Sequence, residues 1–190
     1  MDLQMKETDI LCASDLTAAG TTALYYASRM SERMNSKVAL FHVLEDDEKA
    51  ARDQAKFKLQ EQATAVGGRN IEILFGKGDP LDGIVEECGR GHGMLVLGTH
   101  GLKGLRQKLF GADILKLIRK VGIPSLVVQE ASPKQDELGP IVLPVAAHED
   151  IHRLLDAVIE IARAYTTEVL VYQLMRPGEA LPTTFSRTSY

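Results

Sequence analysis

Three glycines in one stretch of this sequence have the type and spacing to bind a phosphorylated ligand. The apolar run Met94–Leu97 is followed by Gly98, Gly101 and Gly111, and a helical pattern begins near Gly111. Glycine lets a backbone approach a ligand closely, and the unpaired N–H groups at a helix start favour an anion such as phosphate. Loops also use glycine for ordinary turns, so the stretch alone favours turn chemistry over phosphate binding.

Alternating strand and helix patterns must position this stretch. Short apolar runs predict five strands, at residues 10–14, 37–44, 71–75, 94–97 and 124–129, with helical patterns between them. This alternation predicts an α/β fold: a doubly wound, five-stranded parallel sheet in the order 3-2-1-4-5, with helices on both faces. Such sheets bind ligands where the strand order reverses. Asp15, after the first strand, and Gly98 would flank that crevice, where a carboxylate suits a ribose hydroxyl or a base.

The helix between the second and third strands is expected to start in the acidic stretch 45–48 and to end before Gly67. Its composition is rich in Ala, Gln, Lys and Glu, and its apolar residues recur at helical spacing. This pattern predicts a thin buried stripe made of Ala51, Ala55, Leu59 and Ala63.

Composition excludes several classes of protein. The formal net charge of −4 gives no reason to expect a nucleic-acid partner. No apolar run reaches the roughly 20 residues that cross a bilayer, and residues 1–9 lack the apolar core of a signal peptide, so the expected location is cytoplasmic, without a membrane partner. The two cysteines, Cys12 and Cys88, have no metal-binding spacing and are expected to be buried thiols.

Residues 9–130 resemble the universal stress protein family. Gly98, Gly101 and Gly111 match the family's Gly-x2-Gly-x9-Gly spacing, Asp15 falls at its acidic position, and Gly78-Asp-Pro80 looks like its turn before the third helix. The resemblance implies binding of ATP or AMP, with or without Mg²⁺, with Asp15 toward ribose and Val43 toward adenine. It places around the phosphates the loop residues Gly98, Thr99, His100, Gly101, Gly111 and Ala112.

Ala112 departs from the family pattern, which has Ser or Thr after the last glycine. Alanine keeps the backbone N–H but offers no hydroxyl. One lost neutral hydrogen bond costs about 0.5–1.5 kcal/mol, so ATP affinity is expected to fall several-fold to about tenfold rather than disappear.

A second, incomplete copy of the first β-α-β unit follows. Residues 10–45 align without gaps on residues 141–176, so Ile10 meets Ile141 and Val38 meets Val169. We therefore expect a universal stress protein domain over 1–131, a linker over 132–140, and a partial second repeat with a polar tail over 141–190. Ala146 replaces Asp15 in the copy, which limits nucleotide binding to one site per chain. So short a unit rarely folds alone, and this predicts docking on the first domain or self-association as a homodimer, by the fifth strand or by segment exchange.

Other polar residues have simpler explanations than catalysis. His148 and His152 have metal-capable spacing but lack the supporting glutamate, so solvated side chains are the preferred interpretation. Asp79 and Asp113 could hold Mg²⁺, yet each also suits the first turn of a helix. Lys103, Arg106 and Lys108 form a basic cluster that is either a solvated face or a screen for phosphate charge.

The leading functional hypothesis is a stress-response sensor or regulator that binds ATP or AMP. Its rival is a dimeric scaffold that has lost nucleotide binding, since Ala112 and the second copy both depart from the binding pattern. A nucleotide-dependent enzyme would need a positioned base, metal ligands or a nucleophile, none of which the sequence displays. No catalytic residue is predicted, and any ATP hydrolysis is expected to be slow and incidental.

Overall fold

The computed structural model describes residues 9–46, 48–99, 111–145 and 152–173. The chain divides into two compact units, residues 1–134 and 135–190. Most of the predicted glycine loop, with His100, Gly101 and the basic cluster at 103–108, lies outside the described residues.

The first unit contains a five-stranded parallel sheet in the order β3-β2-β1-β4-β5, which confirms the predicted order and fold class. Its strands are β1 (Ile10–Ala13), β2 (Val38–Leu44), β3 (Ile71–Lys77), β4 (Met94–Thr99) and β5 (Ser125–Gln129). Its helices are α1 (Ala18–Met34), α2 (Lys49–Val66), α3 (Pro80–Cys88) and α4 (Gly111–Lys120). The strand order reverses between β1 and β4, which pair directly.

The central strands are apolar on both faces because helices cover both. On one face, Leu11, Phe41 and Leu97 join a buried cluster with Ile84 of α3 and Leu117 of α4. The alternate residues of the same strands face the other side, where α1 contacts β1 and β4 and packs against α2. Near-continuous apolar strands are the expected pattern for a parallel sheet covered in this way.

The predicted buried stripe of α2 is only partly correct. Ala55 and Leu59 are buried, but Ala51 is exposed and the polar Gln62 is buried. The helix begins at Lys49, directly after its N-cap Glu48, the last residue of the acidic stretch, and it ends before Gly67, whose φ of 62° is left-handed. Hydrophobic spacing missed Gln62 because hydrogen bonds to a neighbouring loop, rather than apolar contacts, explain its burial.

The second unit is a parallel β-α-β arrangement of β6 (Ile141–Val145), α5 (His152–Tyr165) and β7 (Val169–Gln173). Its register repeats that of β1 and β2: Ile10 pairs with Val38, and Ile141 pairs with Val169. The helix ends also correspond, since Asn35 and Thr166 both adopt a φ of 50°. The second unit therefore matches the β1-α1-β2 part of the first unit in topology, register and helix termination.

Among the residues that the structure describes, none of the helices is both long enough and apolar enough to cross a membrane.

Candidate functional site

A cavity of about 490 Å³ opens at the carboxyl ends of the first unit's central strands. This volume lies within the range of small-molecule sites. Its lining comes from β1, β2, β4, α2, α3, α4 and the loops that follow the strands. It consists of Ala13, Ser14, Asp15, Thr17, Phe41, His42, Val43, Leu44, Glu45, Asp46, Ala51, Pro80, Ile84, Leu97, Gly98 and Leu117. The cavity thus lies at the predicted switch point between β1 and β4.

Three of the predicted binding residues line this cavity together: Asp15, Val43 and Gly98. Thr99 ends β4, where its carbonyl accepts a hydrogen bond from the Glu130 amide, and is not among the lining residues. Gly111 and Ala112 form the first two positions of α4, and their side-chain surroundings lie outside the description.

The loop between β1 and α1 places Asp15 at the rim of the cavity. The Asp15 carboxylate accepts hydrogen bonds from the Thr17 amide, at 3.1 Å, and from the Thr17 hydroxyl. Thr17 is also the N-cap of α1, because its hydroxyl accepts from the Gly20 amide at 3.4 Å. The loop therefore supplies the capping residue of the next helix.

Gly98 is required by packing between β4 and α1. A Cβ at this position would lie 2.2 Å from the Ala19 carbonyl oxygen, and backbone atoms cannot move aside cheaply. Any larger residue would therefore push β4 away from α1. The glycine meets a structural demand that is independent of a ligand, and it also lines the cavity.

The inner wall of the cavity is apolar where Val43 meets α3. Gly83 makes this contact possible, since a Cβ there would lie 2.9 Å from a Val43 methyl carbon. Ile84 and Leu117 extend the same surface and belong to the buried cluster. A flat aromatic ring is the kind of ligand group that such a wall accepts.

Sequence reasoning missed two carboxylates of the lining, Glu45 and Asp46. They follow β2, so they reach the same edge of the sheet as Asp15, but their charge was interpreted as the start of a helix. Their position directly after a strand adjacent to the switch point was the signal available in the sequence.

His42, also in the lining, links β2 to the β1–α1 loop. Its Nδ1 lies 2.8 Å from the Ser14 carbonyl oxygen. Because a carbonyl can only accept, Nδ1 must carry the proton in this contact. The histidine thereby holds together the two strand ends that carry Asp15 and Val43.

Two aspartates considered for Mg²⁺ have helix-terminal roles in the structure. Asp79 caps α3 by accepting from the amides of Leu81 and Asp82. Asp113 lies in the first turn of α4, 3.2 Å from the Lys116 ammonium. Within the described part of the chain, no group of three or more His, Cys, Asp or Glu side chains could hold a metal ion. His148 and the side chain of His152 lie outside the description.

The two cysteines are buried, as predicted from their patterns, and both are free thiols. Burial raises the pKa of Cys12 to about 12. Burial, together with the charge of Glu87, raises the pKa of Cys88 to about 11. Both groups are therefore protonated thiols at neutral pH and poor nucleophiles.

Comparison with known proteins gives a consistent assignment of the first unit. The model of the universal stress protein family matches residues 8–129. A search of curated proteins gave no match.

Solved structures of the same family resemble the chain. A universal stress protein in complex with cAMP is 21% identical, with a TM-score of 0.51 over 65% of this chain and 98% of that one. UspA from Lactobacillus plantarum is 17% identical, with a TM-score of 0.55 over 65% of this chain and 99% of that one. A universal stress protein from Archaeoglobus fulgidus is 14% identical, with a TM-score of 0.71 over 92% of this chain and 70% of that one. At these identities the likeness concerns the fold.

Proposed function

The chain belongs to the universal stress protein family, and from that premise we propose that its first unit binds one adenine nucleotide, ATP or AMP, as a stress-response sensor or regulator. The observation that carries the proposal is the cavity at the switch point, where Asp15, Val43 and Gly98 meet. A relative of the same fold was solved in complex with cAMP, itself an adenine nucleotide.

The chemistry of the cavity lining fits the parts of an adenine nucleotide. The apolar surface of Val43, Ile84 and Leu117 suits the base, and the Asp15 carboxylate can accept hydrogen bonds from ribose hydroxyls. The phosphates would extend from the end of β4 toward the start of α4 at Gly111, where backbone N–H groups and the helix dipole favour negative charge.

Ala112 and the acidic rim both bear on which nucleotide is bound. Without a hydroxyl at Ala112, the site loses one hydrogen bond that would favour ATP. Glu45 and Asp46 add negative charge to the lining, so Mg²⁺ accompanying a triphosphate would reduce the repulsion between these carboxylates and the phosphates. We therefore propose that ATP binds with modest affinity and that AMP competes for the same site.

Regulation rather than catalysis is the proposed role. Among the described lining residues, the two hydroxyls and the histidine make hydrogen bonds that position the β1–α1 loop: Ser14 to Gln62, Thr17 to Asp15, and His42 to the Ser14 carbonyl. The Thr17 hydroxyl, which donates to Asp15, also caps α1 by accepting from the Gly20 amide, so this contact serves the loop and the helix start. Any ATP hydrolysis at this site would be slow and incidental.

We propose that the second unit is an incomplete repeat and a surface for association. Support comes from the shared register of β1–β2 and β6–β7 and from the exposed apolar side chains of Val142, Leu170 and Tyr172. In the first unit, β5 is the edge strand of the sheet among the described residues, and an edge strand can pair through its backbone with another chain. These features favour a homodimer, and a scaffold that binds partners is the alternative function they support.

The test of the proposal is calorimetry with ATP and AMP on Asp15→Ala. Loss of the carboxylate removes charged hydrogen bonds to ribose, so affinity for both nucleotides is expected to fall about tenfold. Asp53→Ala is the matched control, because Asp53 is an exposed carboxylate of α2 outside the cavity lining. No binding by the unmodified protein, or equal affinity in all three proteins, would contradict nucleotide binding at this cavity.

A further inference from the structure

Gln62 is a buried polar residue of α2 that makes three hydrogen bonds to the β1–α1 loop and the first turns of α1. Its exposed fraction is 8%, although it lies on a helix whose other glutamines, Gln54 and Gln60, are exposed. We propose that Gln62 is a positioning residue, which holds this loop in the conformation that presents Asp15 to the nucleotide. This inference rests on the proposed function of the cavity and names a residue outside its lining.

The amide of Gln62 bonds the loop on both sides of Asp15. Its Oε1 accepts from the Ser14 hydroxyl at 2.8 Å, and its Nε2 donates to the Thr17 carbonyl at 3.0 Å. The same Nε2 donates to the Thr21 hydroxyl at 2.9 Å. Because the Thr17 carbonyl can only accept, it fixes which end of the amide faces it, and the Ser14 hydroxyl must then be the donor to Oε1.

The loop needs such support because its backbone is strained. Leu16, next to Asp15, has a φ of 65°, a left-handed conformation that costs a residue with a side chain of this size of order 1 kcal/mol or more. The Leu16 amide donates to the Ser14 hydroxyl at 3.1 Å, and that hydroxyl is the one held by Gln62. Leu16 is thus linked to Gln62 of α2 through the hydroxyl oxygen of Ser14.

Hydrogen bonds of Thr17 connect Gln62 to the Asp15 carboxylate. Its carbonyl accepts from Gln62, while its amide and hydroxyl donate to Asp15. Replacing Gln62 by an apolar residue would leave the Ser14 hydroxyl and the Thr17 carbonyl without these buried partners, and unpaired buried polar groups are costly. The loop would relax to bond water, and Asp15 would lose its fixed direction.

The experiment compares Gln62→Met with Gln60→Met, which makes the same change at an exposed position of α2. In the nucleotide-free protein, hydrogen exchange of the Leu16 amide should be at least about tenfold faster in Gln62→Met and unchanged in Gln60→Met. Calorimetry with ATP should show affinity reduced about three- to tenfold by Gln62→Met alone. In an Asp15→Ala background the same substitution should change affinity less than about twofold, because the group it positions is gone.

Several outcomes separate this inference from the proposed function. Equal Leu16 exchange in the two methionine variants, or an equal loss of ATP affinity with and without Asp15, would overturn the role of Gln62. If the unmodified protein binds no nucleotide, the proposed function fails, and with it the role of Gln62 toward a ligand. Should Gln62→Met fail to fold, Gln62→Glu keeps the acceptor for the Ser14 hydroxyl, removes the donor to the Thr17 carbonyl, and is expected to lower ATP affinity only when Asp15 is present.

Discussion

The β1-α1-β2 part of the first unit and the whole second unit share a backbone arrangement but differ in what surrounds it. In the first unit Leu11 pairs with Ala39, and in the second Val142 pairs with Leu170, each position 131 residues later. The Ile10 amide donates to the Lys37 carbonyl, and the Ile141 amide donates to the Glu168 carbonyl, both at 2.8 Å. The same local sequence pattern thus gives the same pairing register and the same first backbone hydrogen bond in β1–β2 and in β6–β7.

The difference lies in the burial of one face of each strand pair, which in the first unit carries Leu11 and Phe41. Leu11 is fully buried and Phe41 is 2% exposed, because α3 and α4 cover this face of the first sheet. The corresponding residues of the second unit, Val142 and Tyr172, are 63% and 52% exposed. The local apolar pattern therefore predicts a strand, but the burial of its side chains depends on helices from other parts of the chain.

The largest expected effect comes from truncating the two equivalent aromatic residues. Phe41→Ala removes a buried ring and should lower the free energy of unfolding by about 3–5 kcal/mol. Tyr172→Ala removes a half-exposed ring and should cost less than about 1 kcal/mol. Urea denaturation followed by circular dichroism measures both. A comparable cost at Tyr172 would mean that its face is covered in solution, and the contrast between the units would fail.

Glycine substitution gives the next largest contrast. Gly98→Ala forces a Cβ against the Ala19 carbonyl and should destabilise the first unit by about 1–3 kcal/mol. Gly139→Ala, just before β6, meets no atom within 4 Å and should change stability by less than about 0.5 kcal/mol. The shift of the urea midpoint compares the two variants. Equal midpoints would contradict the close approach of β4 and α1.

The smallest expected effect concerns the residues that end α1 and α5. Thr166 and Asn35 both adopt a φ of 50°, which Asn tolerates well and which is unfavourable for a β-branched residue. Thr166→Gly should therefore stabilise the second unit by about 0.5–1 kcal/mol, and Asn35→Gly should change the first by only about a few tenths. Hydrogen exchange of the β7 and β2 amides reports each unit separately. A destabilising Thr166→Gly would show that the threonine side chain contributes contacts that outweigh its strain.

The sequence predicted the fold well because strand order and helix placement follow from repeated local signals. Gly67 and Asp79 lie at helix ends, as expected from the sequence. The sequence alone did not reveal contacts between distant residues. Gln62 is buried by hydrogen bonds to a loop more than 40 residues away, and Gly98 is required by the backbone of Ala19.

The candidate site was predicted less completely than the fold. Asp15, Val43 and Gly98 do line one cavity, but Glu45 and Asp46 were interpreted as the start of a helix. Carboxylates directly after a strand can begin the next helix or line a cavity, and the sequence does not distinguish these two roles. The roles of His100, Gly101 and Ala112 in binding phosphate stay predictions.

The stoichiometry of ATP binding tests the central claim most directly. We expect one nucleotide in the first unit and none in the second, where Ala146 stands in place of Asp15. Isothermal titration of the full chain with ATP should therefore give one nucleotide bound per chain, with AMP competing for that single site. Binding of two nucleotides per chain, or of none, would contradict it.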